Sequence, residues 1–164
     1  MVVLRSIALA AAAALFATSA SAHVSVQPAT AGAGAYQVLR FGVGHGCRDK
    51  ADTTALRVEI PAGVTVARPQ PKPGWVLQIV RDGETVTALV WTGRLPPDQF
   101  DEFVVLTKLP DAGGPLAFPA IQSCGAEQNR WTEVTPPGAP RSKFPAPILN
   151  VITAAPEGGH DHQH

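Results

Sequence analysis

Apolar and polar residues alternate with a period of two over much of the chain beyond residue 22, the period of half-buried strands rather than of helices. The cleanest run is residues 54–61, where Leu56, Val58 and Ile60 face one way and Arg57 and Glu59 the other. Residues 36–44 alternate well enough to predict a strand with Tyr36, Val38, Phe41 and Val43 inward. Gly42, Gly44 and Gly46 near its end signal bulges or close backbone approaches. Residues 75–81 and 84–92 flank Asp82-Gly83, and Asp-Gly between two β-prone runs predicts a hairpin. A short edge strand is predicted over 23–26, stopped by Pro28, and further strands over 100–109, 116–123, 129–134 and 148–152. Residues 29–35 read as a Gly/Ala/Thr loop and 68–74 as a proline-rich connection. Prolines fall too often after residue 22 for a sustained helix. Short strands at roughly 8–12-residue spacing, punctuated by turns, predict a single all-β domain built as an antiparallel β-sandwich.

The first 22 residues have a different pattern. Arg5 supplies a positive start, residues 7–16 an apolar, Ala-rich core, and Ala20-Ser21-Ala22 the small residues that signal peptidase requires. The organisation expected is a cleaved signal peptide over 1–22, the sandwich over 23–154, and a flexible His-rich tail over 155–164. Cleavage after Ala22 makes His23 the first residue of the mature chain. Its free α-amine and imidazole Nδ1 could then close a chelate ring on one metal ion. Neutral nitrogen donors of this kind suit Cu(II), the strongest binder in the Irving–Williams order.

Composition narrows the function classes. Removing 22 residues of 164 leaves 142, with 12 basic and 13 acidic side chains once Arg5 has gone. Such a balance argues against a nucleic-acid or anionic-membrane surface. Nothing after the signal approaches the roughly 18 apolar residues of a membrane span. An exported address, periplasmic or extracellular, follows. Cys47 and Cys124 are the only cysteines, and in an oxidising compartment they are expected to pair; a thiolate copper site is the alternative.

Several segments now line up in order. The chain runs Ala22-His23-Val24-Ser25-Val26-Gln27-Pro28, then Val43-Gly44-His45-Gly46-Cys47, then residues 53–61, then Lys72-Pro73-Gly74-Trp75. Phe100-Asp101-Glu102-Phe103, residues 118–122 and Arg130-Trp131-Thr132-Glu133 follow. This series resembles the YcnI-like family of bacterial exported copper-binding domains and covers nearly all of the mature chain. The resemblance implies an immunoglobulin-like or cupredoxin-like β-sandwich carrying a Cu(II) site on the N-terminal histidine, a monohistidine brace. It implies that His23 gives its amine and Nδ1, that Glu102 gives a carboxylate oxygen, and that Trp131 stands beside the metal. Copper would be exchanged with other exported chaperones or with membrane copper transporters. Many relatives carry a C-terminal membrane helix, whereas this sequence ends in His160, His162 and His164, a pattern that binds Cu, Ni or Zn without fixed geometry.

Each of these residues also has a plainer reading. Glu102 is placed on a half-buried strand, where an acidic residue ordinarily faces solvent. Asp101 falls on the opposite face by strand alternation, and Glu133 shares the parity of Trp131 and is a reserve ligand. Trp75, Trp91 and Trp131 are large enough to be core residues. His45 reads as structural beside Cys47; as a ligand it would convert the site to the two-histidine brace of oxidative copper enzymes.

Three function classes follow: a module that buffers, stores or delivers Cu(II), a copper-dependent oxidase or monooxygenase, and a metal-free adhesive sandwich. No Ser-His-Asp set, phosphate loop or paired-carboxylate motif stands out, so the chain is not read as an enzyme. An N-terminal chelate competes with protons for both nitrogens. Copper affinity is therefore expected to fall as pH drops from about 8 to about 6, where terminal amines and imidazoles take up protons. A calorimetric titration series that gave a flat affinity across that range would exclude the chelate.

Overall fold

The computed structural model describes residues 23–47, 51–136, 138–140 and 142–153. The expected signal peptide and the His-rich tail with His160, His162 and His164 lie outside the described residues. Within them every regular element is a strand, and no helix is long and apolar enough to cross a membrane.

One sheet is built from β1 (Ser25–Gln27), β3 (Tyr36–Val43), β8 (Asp101–Lys108) and β5 (Val66–Pro69), in the order β1-β3-β8-β5. The second has the order β11-β10-β4-β7-β6, with β4 (Thr53–Glu59), β6 (Val76–Asp82), β7 (Thr85–Leu95), β10 (Ala120–Cys124) and β11 (Glu127–Trp131). A small third sheet joins β2 (Thr30–Gly32), β12 (Ile148–Ile152) and β9 (Gly114–Ala117) in the order β2-β12-β9. All strand pairs are antiparallel except β2 with β12.

Alternation fills the space between the sheets. Val24, Val26, Leu39, Phe41, Val43, Phe103 and Val105 come from the first sheet, and Leu56, Val58, Leu89, Trp91 and Trp131 from the second; all are buried. Phe103 is the hinge of this packing. Its ring meets Trp75 edge-on at 4.8 Å and Trp91 at 5.2 Å between centroids, and Lys72 Nζ sits 4.8 Å from its centre. Cys47 and Cys124 form a disulfide across a sequence separation of 77. Loop-closure entropy alone gives such a bond about 4–5 kcal/mol as an upper figure.

Most predicted strands are present, with four differences. In β3 the inward residues are Leu39, Phe41 and Val43, while Tyr36 and Val38 are 64% and 37% exposed. Arg40 and Gly42 share the parity of Tyr36 and Val38, and a charged Arg40 cannot enter the core, so that whole set faces out. The proline-rich stretch hides β5, an edge strand that tolerates Pro69 at its end. The predicted loop at 29–35 contains β2. The run 116–123 is split by Phe118-Pro119 into β9 and β10. The hairpin forms where expected, with Gly83 (φ 57°) and Glu84 at its tip and Asp82 paired to Thr85.

Phe103→Ala is expected to cost about 3–5 kcal/mol, because it empties a site lined by two tryptophans. Urea unfolding monitored by circular dichroism reads this directly as a lower midpoint.

Candidate metal centre

The chain enters the first sheet through β1. Val24 and Val26 turn into the core, which by alternation sends His23 and Ser25 to the outer side. On that side the register sets Ser25 opposite Gly42 and Gly42 opposite Glu102. The adjoining row, Val26, Phe41 and Phe103, is buried. Three strands thus bring His23 and Glu102, far apart in sequence, onto one face.

A cleft of about 370 Å³ opens there, lined by His23, Ser25, Gly42, His45, Phe100 and Glu102 among others. His23 is exposed, and its ring stands edge-on to Trp131 of the opposite sheet, 6.2 Å between centroids at 65°. Trp131 is 3% exposed and packs its other side on Phe144, 5.3 Å away. Its Nε1 is buried with no hydrogen-bond partner among the described residues. The tryptophan is therefore both a core residue and the neighbour of His23.

The acidic residues near the cleft are not equivalent. Glu102 Oε2 lies 3.8 Å from Arg40 Nε, with the two side chains 46% and 50% exposed. An exposed pair at that distance contributes only about 0–1 kcal/mol, so the carboxylate is free to turn into the cleft. Asp101 is committed elsewhere: its Oδ1 accepts from Lys72 Nζ at 2.5 Å and from the Glu102 N–H at 2.8 Å. Lys72 Nζ also donates to the Glu102 carbonyl at 2.9 Å, which fixes the backbone that carries the free carboxylate. Glu133 Oε2 accepts the Phe144 N–H at 3.1 Å and so is occupied by the backbone beneath Trp131.

His45 lies at the rim of the same cleft, a placement that its position beside Cys47 did not indicate. Its carbonyl accepts from Gln122 Nε2 at 2.8 Å, and the same nitrogen donates to Thr53 Oγ1 at 2.7 Å. Gln122 is fully buried, so this loop is fastened to the second sheet by a polar clasp as well as by the disulfide.

Among the described residues no three His, Cys, Asp or Glu side chains converge closely enough to hold a metal ion by themselves. An ion seated on His23 and Glu102 would need a donor that is not a side chain, and a freed α-amine at His23 is such a donor. Both cysteines are consumed in the disulfide, so the donors at the cleft are nitrogen and oxygen. That chemistry fits Cu(II) in tetragonal geometry better than Cu(I), which favours sulfur.

Comparison with known proteins gives a consistent picture. Residues 23–151 match the family described as "Domain of unknown function (DUF1775)". The chain is 29% identical over 110 residues to the copper-binding protein CutI of Bacillus subtilis (strain 168). That match takes in 65% of this chain and 53% of CutI, so the chain spans about half the length of that relative. A crystal structure of an uncharacterized protein from Nocardia farcinica, reported to reveal an immunoglobulin-like fold, superposes with a TM-score of 0.69. It shares 30% identity, covering 80% of this chain and 99% of the Nocardia chain. With its all-β immunoglobulin-like architecture and the motifs set out above, the chain belongs to the DUF1775 family, the YcnI-like group of domains.

Proposed function

We propose that this protein is an exported Cu(II)-binding module that buffers, stores or delivers copper outside the cytoplasm. Removal of residues 1–22 frees the α-amine of His23. That amine and Nδ1 chelate the ion, and Glu102 supplies a carboxylate oxygen. The observation that carries this reading is the placement of His23 and Glu102 on one cleft of one sheet, with Trp131 against the His23 ring. The naming of CutI as a copper-binding protein supports the same ion.

Each neighbour then has a physical part. Trp131 covers one side of the His23 ring with an apolar face and limits approach of water and small reactants from the opposite sheet. Arg40 holds Glu102 only weakly before the ion arrives. Lys72 and Asp101 neutralise one another and leave Glu102 as the available carboxylate. The tail histidines His160, His162 and His164 provide a second site of the kind that binds metal without fixed geometry.

His45 supports a second reading. It lines the same cleft, and its recruitment to copper would turn the site into a two-histidine brace with oxidative potential. Loss of nitrogen hyperfine structure in the copper spectrum of a His45→Ala variant would favour that reading; an unchanged spectrum leaves the single-histidine site.

The decisive test is Cu(II) titration followed by electron paramagnetic resonance on the processed chain beginning at His23, with the three tail histidines replaced by alanine. A parallel sample carries one extra residue ahead of His23. The expected result is one tight tetragonal nitrogen/oxygen signal that the extension abolishes. Equal binding by both samples, or by neither, overturns the proposal. In the same assay Glu102→Gln is expected to weaken binding by at least about tenfold, or 1.4 kcal/mol.

A further inference from the structure

The central strand of the first sheet has no side chain where it passes beneath the proposed site. β3 runs between β1 and β8, and at Gly42 it is flanked by Ser25 on one side and Glu102 on the other. Val43 turns into the core. Gly44, the next residue on the outer side, lines the same cleft. Gly42-Val43-Gly44, the end of β3 and the residue after it, thus contributes a core residue inward and only backbone outward.

Neither glycine is needed for its backbone conformation. Both φ angles lie outside the left-handed region, so any residue could adopt them. Glycine within a strand weakens it and commonly marks a place where something must approach the backbone closely. The space at the two positions shows what is being kept clear. A Cβ at Gly42 would come within 3.0 Å of Ser25 Oγ, and one at Gly44 would enter open space with nothing inside 4 Å.

Resting on the copper reading above, we propose that Gly42 and Gly44 are positioning residues that form the floor of the metal seat. They make a trough one strand wide, with Ser25 and, two residues before it, His23 on the β1 side and Glu102 on the β8 side, all lining the same cleft. Adjacent strands lie about 4.8 Å apart, so β1 and β8 are separated by roughly 10 Å at the backbone. An ion bonded at about 2 Å to nitrogen and oxygen can bridge that gap only if both side chains reach inward over an empty strand. The trough accounts for the length of the acidic ligand: glutamate reaches over Gly42, and aspartate falls one methylene short. It also leaves the ion open to solvent above the glycines, where water or a small nitrogen or oxygen donor completes the coordination.

The test uses the processed chain with alanine at the three tail positions as parent, and Gly42→Val, Gly44→Val and Glu102→Asp as variants. Cu(II) affinity is measured by calorimetry, coordination by electron paramagnetic resonance, and folding by circular dichroism and thermal melting. Both valine variants are expected to fold, to bind copper at least about tenfold more weakly, and to lose the parent's tetragonal signal. Glu102→Asp is expected to follow them. Should Gly42→Val fail to fold, Gly44→Val decides, because its side chain enters open space. A parent that binds through His23, together with a folded valine variant that binds equally well, overturns the trough and leaves the copper reading standing. A parent that does not bind overturns both.

Discussion

The three-strand ladder β1-β3-β8 is the constraint on which the rest of the site depends. Val26, Phe41 and Phe103 form one buried row across it, with Phe41 packed on Phe118 and Phe103 on Trp75 and Trp91. Because side chains alternate, seating that row inward dictates that the next row, Ser25, Gly42 and Glu102, faces out. A slip of one residue in β8 would send Glu102 into the core and open Phe103 to solvent, and a slip in β1 would do the same to Ser25 and Val26. The core thereby sets the geometry of the polar cleft, and no contact within the cleft has to be strong.

That division of labour shows in the energetics. The interactions around Glu102 and Arg40 are exposed and worth little. The larger contributions are the buried Phe103 side chain and the disulfide-closed loop, each on the order of several kcal/mol. A binding site on such a surface can exchange its polar partners without disturbing the fold. The polar groups held most firmly are the buried Gln122, clasping the His45 carbonyl and Thr53, and the half-buried Lys72, tied to Asp101 and the Glu102 carbonyl. They fix backbone near the cleft and leave the side chains of His23 and Glu102 free.

Much of this was legible in the sequence, for reasons that differ from place to place. The strand at 54–60 was unambiguous because charged residues separate its apolar ones. The strand at 36–43 was not, because Tyr36 and Val38 are apolar yet share a face with Arg40, and only the charged residue reveals the parity. β5 was concealed by prolines that an edge position permits. In the cleft, His23 could be found from the small residues that precede it, and Glu102 only through the resemblance of its motif to a family. Their neighbourhood depends on a third strand inserted between them, a non-local pairing that local patterns do not encode. The glycines of β3 signalled a close approach to the backbone, but not what approaches.

The edge-on contact between His23 and Trp131 adds a link between two sheets that their core, the disulfide and the Gln122 clasp already hold together. His23 lies two residues before the edge strand β1 of one sheet and Trp131 ends the edge strand β11 of the other, so the pair exists only while the sandwich is closed on that side. An ion bound at both His23 and Glu102 would favour the folded chain over the unfolded one, which keeps the His23 nitrogens but not the carboxylate beside them. By mass action it would stabilise the folded state by at most about 2.7 kcal/mol at a hundredfold excess over its dissociation constant, less whatever the unfolded chain binds. The stability of the folded domain would then rise and fall with the concentration of the ion it holds.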